Sequence, residues 1–222
     1  MILTQMGQKY RYVLVSGGGS TPILYNRTTL ELIEACFKVY PETVPGYDGI
    51  FNNVNSKSYT IGAFRIKESG RMIVFATTHL WWMSGVAGHG CYRPYSNEAR
   101  EYQMNLMLDA VEEFRLRYNC PAIISGDFND DYNSLAVSAA KDRGYRHAHD
   151  IAVDFADERD GYHYCFPDGY DMYENPKPFE AGIDHILVKG EPQGFVRRFE
   201  RFTPEWYMTL SDHFPAYIDV EL

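Results

Sequence analysis

Several things are scarce in this chain. Its four cysteines, Cys36, Cys91, Cys120 and Cys165, are far apart and form no CxxC pair. That argues against a zinc ribbon and a dense disulfide scaffold, and leaves free, mostly buried thiols as the reading. No apolar run approaches the roughly 20 residues of a membrane span. The opening MILTQMGQKYRY has neither the apolar stretch nor the cleavage site of a secretory signal. Localisation stays unassigned, since any leader would lie upstream of Met1. There is no repeat, low-complexity tract or linker, so residues 1–222 read as a single domain. Positive charge is short: 21 Lys and Arg stand against 30 Asp and Glu, a net charge of -9. A surface of that sign argues against stable binding of duplex DNA, which needs clustered cations on the phosphates.

Apolar and aromatic residues are plentiful. At 45% hydrophobic the chain can bury a full core, and its 18 Tyr and 13 Phe favour strands and ring-lined pockets. Residues 1–8 read as the tail of a helix stopped near Gly7. Strands are predicted over 10–15, 22–26 and 30–40. A hairpin comes next, with arms over 59–67 and 72–77 joined at Glu68-Ser69-Gly70. Residues 97–118 form the one long helix. Met104, Met107, Leu108, Val111, Phe114 and Tyr118 recur at helical spacing, and Asn97 or Ser96 serves as N-cap. Pro121 starts a strand over 122–125. A shorter helix over 134–143 ends at Gly144. Residues 145–182 read as loops with one short helix, and the chain closes on a strand over 216–222. Helices covering sheet faces imply a layered α/β or α+β sandwich.

Four polar clusters sit at the ends of apolar runs: Thr78-His79-Leu80, Gly126-Asp127-Phe128-Asn129, Ile183-Asp184-His185 and Ser211-Asp212-His213. Strand ends can converge at one sheet edge, so these clusters predict a shared hydrolytic, metal-binding site. Asp127 and Asn129 are two apart and aim to one side. Their carboxylate and amide oxygens suit a hard cation such as Mg²⁺ or Mn²⁺. The amide also suits a nucleophilic water or a phosphoryl oxygen. An Asp accepting from one imidazole nitrogen raises the basicity of the other, and the pairing inferred is Asp184 with His213. His185 then points to the opposite strand face as a structural residue. His79 would face a phosphate as donor.

Trp81 and Trp82 come directly after His79-Leu80 and read as a ring-lined lip for substrate. Arg93, farther along the same loop, is a candidate phosphate contact, set against a plain surface arginine. His147, His149 and His163 offer a zinc alternative whose spacing matches no established pattern. Ser16 to Ser20 is glycine-rich but lacks the Lys and helix of a phosphate loop.

The four clusters, in this order and on these strands, resemble the endonuclease/exonuclease/phosphatase family, which includes deoxyribonuclease I. The resemblance runs from the strand at 22–26 to Leu222, and Arg100 and Gln103 match the family's Arg-x-x-Gln after the His-Leu strand. It implies a four-layer α/β/β/α sandwich and a metal-dependent phosphoester hydrolase, of diesters or monoesters, using Mg²⁺ or Mn²⁺. By that likeness His79 contacts phosphate, and Asp127 and Asn129 position water and the transition state. Asp212 binds metal with them, His213 is the base, and Asp184 orients it. The expected substrate is small, lipid-like or single-stranded, and the expected state is monomeric. The family's first two motifs, an Asn and a metal-binding Glu at strand ends, would precede the helix tail read at residues 1–8. The chain is therefore expected to be N-terminally shortened, with an impaired fragment or a phosphate-binding pseudoenzyme as the alternative.

Overall fold

A computed structural model gives the fold and describes residues 9–13, 20–155, 182–190, 192–202, 204–211 and 213–221. The helix tail expected over 1–8, the turn at 16–19, His163, Cys165 and Asp212 lie outside these residues. Strand β1 (Tyr10–Val13) pairs antiparallel with β2 (Ile23–Asn26). Three long antiparallel strands come after it: β3 (Leu30–Val39), β4 (Ser58–Ile66) and β5 (Met72–His79). The β4–β5 turn closes because Gly70 takes φ +73 and donates to the Ile66 carbonyl at 2.7 Å.

Helix α1 (Ser96–Tyr118) then carries the chain over the sheet to β6 (Ala122–Asp127), which runs parallel to β5. Parallel neighbours need such a crossover. Next come α2 (Leu135–Asp142), β7 (Arg146–His147), α3 (Ala148–Ile151) and β8 (Asp154–Phe155). The described chain resumes with β9 (Asp184–Lys189), β10 (Val196–Arg201) and β11 (Ala216–Val220). The large sheet has the order β3-β4-β5-β6-β9-β7, and a smaller one the order β11-β10-β8.

Strand alternation divides the core between two faces. Val74, Ala76, Ile124 and Leu187 point to the helices and meet Met104, Met107, Leu108 and Val111. Ile73, Ile123, Ile186 and Val188 point the other way, onto Val196, Phe199 and Ile23 of the second strand layer. Each fully buried side chain of this kind contributes about 1.5–3 kcal/mol. Helices, large sheet and second strand layer thus stack as in the expected sandwich.

Three local readings are corrected. Helix α1 has Tyr95 as its N-cap, in the left-handed region at φ 65 and without a side-chain cap bond. Ser96 instead accepts from the Trp81 indole at 3.1 Å and donates to the Arg93 carbonyl at 2.9 Å. The β6 strand continues past Ser125 to Asp127. Gly126 makes this possible: at φ +145 it lies so close to β5 that an added Cβ would sit 2.0 Å from the Thr78 carbonyl oxygen. Finally, the two-residue β7 and β8, within the segment expected as loops, had no counterpart among the expected strands, and neither had β10. Its sequence VRRFER is charged, and a register irregularity between Val196 and Arg198 blurs its alternation.

Candidate active site

Sheet register brings the polar clusters together. His79 on β5 is the partner of Asp127 on β6, and Asp127 is the partner of Asp184 on β9. Residues directly opposite in a ladder face the same side. All three therefore project from one rung, on the face shared with Ile73, Ile123 and Ile186. His213 enters from the loop before β11, where its backbone N–H donates to Ser211 Oγ at 3.1 Å.

Side-chain contacts close the group. His213 Nδ1 lies 2.6 Å from Asp184 Oδ2, which assigns its proton to Nδ1 and the lone pair to Nε2. That Nε2 is 4.0 Å from Asp127 Oδ2. His79 Nε2 is 3.3 Å from the same oxygen. The other Asp127 oxygen, Oδ1, accepts from the Asn129 N–H at 2.8 Å, and the Asn129 side-chain amide donates to the Leu80 carbonyl at 3.0 Å. Asn129 holds φ 52, a left-handed value that Asn adopts more readily than most residues. A cavity of about 300 Å³ opens beside the dyad, lined by Asp184, His213, Ser211 and Tyr207 among others.

Electrostatics mark the same spot. Burial, with the Asp184 charge second, pushes the Asp127 carboxyl up to about 6. Burial, with Lys57 and His213 behind it, pushes His79 down to about 4. A buried carboxyl of raised proton affinity beside a second carboxylate forms a setting that a divalent cation would relieve. The oxygen donors of Asp127 and Asn129 fit a hard cation such as Mg²⁺ or Mn²⁺. Asp212, the third expected ligand, is outside the described residues, and among those described no group of three His, Cys, Asp or Glu is gathered for a metal.

Lys57 was missed by the sequence reading. It is 4% exposed, and its ammonium donates to His79 Nε2 in a very short contact. Burial lowers it to about 8. A lone Lys at the start of a strand carries no motif, so only the pairing of Ser58 with His79 could have hinted at it.

The other expected substrate contacts separate. Trp81 is 2% exposed, its ring edge-on to Phe51 at 5.9 Å, and its backbone N–H donates to Gln103 Oε1 at 2.8 Å. This corrects its place in the lip: the ring is packing. Trp82 is 45% exposed beside it. Arg93 stacks its guanidinium 5.5 Å from the Phe51 ring, and no described contact joins it to His79 or Asp127. Arg100 anchors the loop after His79, with Nε on Asp130 at 2.8 Å and Nη1 on the Met83 carbonyl at 2.7 Å.

His185 faces the helix side, as expected. Its Nε2–H donates to the Asp130 carbonyl at 2.8 Å, so its Nδ1 accepts from His147 Nε2–H at 3.1 Å. His147 Nδ1 accepts from the His149 backbone at 3.3 Å. Both ring nitrogens of His147 are thus engaged in hydrogen bonds, which leaves it no lone pair for zinc.

Comparison with known proteins fits this arrangement. The model of the Endonuclease/Exonuclease/phosphatase family matches residues 12–213. An endonuclease/exonuclease/phosphatase from Bacteroides vulgatus is similar in structure, with TM-score 0.70 and 22% identity over 97% of this chain and 77% of that one. The Bacteroides thetaiotaomicron mannosyl-6-phosphatase Bt3783 gives 0.69 and 21% over 100% and 80%. TDP2 of D. rerio, complexed with single strand DNA product, gives 0.59 and 14% over 98% and 79%. No curated protein matches the chain. The structural likenesses speak for the fold, the family match covers nearly all of the sequence, and the chain belongs to the endonuclease/exonuclease/phosphatase family.

Proposed function

We propose that this chain hydrolyses a phosphoester by in-line attack of water, with the help of a divalent cation. Membership of the family supports phosphoester hydrolysis as the class of chemistry. The observation that carries the reading is the shared rung of His79, Asp127 and Asp184, closed by the 2.6 Å contact of Asp184 with His213. Asp184 fixes the His213 tautomer, and Nε2 takes the proton of the attacking water. Asp127 and Asn129 position that water and the phosphoryl group. His79 faces the phosphoryl oxygens from the opposite side of Asp127. Asp127, Asn129 and Asp212 would hold Mg²⁺ or Mn²⁺, which when bound supplies Lewis-acid stabilisation of the phosphoryl charge.

The net charge of -9 and the exposed Trp82 favour a small, lipid-like or single-stranded substrate over duplex DNA. A mannosyl-6-phosphatase and a protein holding a single strand DNA product are both structural neighbours, so monoester and diester probes belong in one panel. The test is turnover of p-nitrophenyl phosphate and bis-p-nitrophenyl phosphate with Mg²⁺ or Mn²⁺. Activity should vanish with EDTA and return with metal. Asp127→Ala should lower kcat by about 10³-fold or more. Metal-independent turnover, or an Asp127→Ala chain with near-parent turnover, rules the mechanism out. Phosphate binding without turnover would turn the assignment to a non-catalytic phosphate binder.

A further inference from the structure

The site holds two carboxylates and two imidazoles, yet a phosphoester brings more negative charge to it. A buried cation is present, and no step of the proposed hydrolysis uses it. Lys57 is 4% exposed, and its Nζ touches His79 Nε2. Among the described residues no carboxylate lies within ion-pair distance of that ammonium. Asp127 acts on it only from beyond that distance. A buried ammonium without a direct carboxylate partner is costly, and an apolar side chain of similar length would serve packing better.

The backbone around Lys57 is built to aim it. Asn52 is fully buried, with its Oδ1 accepting from the Lys57 N–H at 2.9 Å. The Asn52 amide donates to the Lys57 carbonyl at 2.9 Å and to the Tyr40 carbonyl at 2.6 Å. The Tyr40 N–H donates to the Lys57 carbonyl at 3.0 Å. Lys57 immediately precedes Ser58, whose ladder partner is His79. Three hydrogen bonds therefore hold the lysine's backbone one residue from the rung that carries the site.

We propose that Lys57 is a substrate-contacting residue, whose ammonium moves from His79 Nε2 onto a phosphoryl oxygen of the bound ester. The assignment rests on the hydrolase reading and adds to it the cation for the phosphoryl group. The chemistry favours it: an ammonium is a compact donor that can turn from one acceptor to another on a flexible stem. His79 Nε2 accepts from Lys57, so the lysine is the donor already in place beside Asp127.

The test uses the full chain and the variants Lys57→Met, Lys57→Arg and Asp127→Ala. Three quantities are measured: turnover of bis-p-nitrophenyl phosphate with Mg²⁺, calorimetric binding of inorganic phosphate, and the thermal midpoint. Lys57→Met should lower kcat/KM by about 10²-fold or more. It should weaken phosphate binding at least about tenfold and melt no lower than the parent. Lys57→Arg, which keeps the charge, should recover most of the phosphate affinity. A Lys57→Met chain within about threefold of the parent in both turnover and phosphate affinity overturns the assignment. An inactive Asp127→Ala chain in the same assay would show that the hydrolase reading survives that loss. A lower melting point for Lys57→Met, with no recovery of phosphate binding in Lys57→Arg, also overturns it and makes the lysine structural. A parent that neither cleaves the ester nor binds phosphate overturns both readings.

Discussion

Asp184 and His185 are neighbours on β9, and they belong to two different environments. Asp184 faces the second strand layer and meets His213 at the site, where the two side chains are 22% and 31% exposed. His185 faces the helices, 1% exposed, and is bound to His147 and a backbone carbonyl. Both regions are built from imidazoles in hydrogen-bonded chains. In one the chain ends on carboxylates at the open end of a sheet, which suits proton transfer. In the other it ends on a neutral carbonyl and a backbone N–H, which suits holding a loop. Burial drives His185 down to about 4 and His147 well below its ordinary range. Both are neutral struts at physiological pH. Residue type alone does not separate the two settings; on β9 the face of the strand does.

The sharpest way to break this contrast is to remove one imidazole from each side. His213→Ala should lower kcat by about 10³-fold or more while costing about 1 kcal/mol of stability or less, because the ring is partly exposed. His185→Leu should do the reverse. It removes the ring acceptor of the buried His147 N–H and the ring donor to the part-buried Asp130 carbonyl, at about 1–3 kcal/mol each. Its kcat, measured well below the melting point, should stay within about tenfold of the parent. Chemical denaturation and steady-state kinetics on the two variants check both arms. Equal losses of activity in the two would dissolve the distinction.

Acid should expose the same difference at smaller scale. The folded-state pKa of His185 is lowered to about 4 from 6.5, so between those values the unfolded chain binds the extra proton. Stability from this group is fully present above about 6.5 and falls as pH drops toward about 4, by on the order of 3 kcal/mol. His79, also lowered to about 4, adds a loss of the same sign. The informative quantity is therefore the difference in slope. His185→Leu, already less stable at neutral pH, should lose less on going to pH 4 than the parent does. Parallel curves for the two chains would mean that His185 carries a charge in the folded state.

The legible and illegible parts of the molecule divide along similar lines. The large sheet was readable because β4, β5 and β6 are apolar runs bounded by turn residues, and α1 repeats its buried face five times from Met104 to Phe114. The rung of His79, Asp127 and Asp184 was readable as three clusters at strand ends, since a strand fixes the direction in which its terminal residues point. Register itself was not. It depends on the Gly126 approach to Thr78 and on cross-strand hydrogen bonds, which no local pattern encodes. The Trp pair shows the limit of alternation outside a strand. Adjacent rings read as one lip, yet Gln103 and Ser96, far along the chain, turn Trp81 inward. Lys57 escaped for a related reason: its meaning lies in Asn52 and His79, neither adjacent in sequence. The β10 strand escaped because Arg197 and Arg198 separate its buried Val196 and Phe199, and its third buried position, Arg201, is itself charged.

Trp81 and Trp82 supply the finest cut. Their centroids are 6.1 Å apart, but one ring is sealed in the core and the other is open to solvent. Trp81→Ala should cost about 3–5 kcal/mol of stability through the cavity it leaves under the loop. Trp82→Ala should leave the melting point almost unmoved. If Trp82 stacks on a base, sugar or acyl group, its loss should raise KM about five- to tenfold, as a stacking contact of about 1–1.5 kcal/mol does. The kcat should change by less than about twofold, because the ring touches the body of the substrate and not the phosphoryl group. The effect should grow with the size of the leaving group, so a nucleotide or lipid-like ester is a stronger probe than p-nitrophenyl phosphate. A Trp82→Ala chain with unchanged KM on every ester in the panel would place both rings in packing roles, and the lip would then have to be sought elsewhere on the loop.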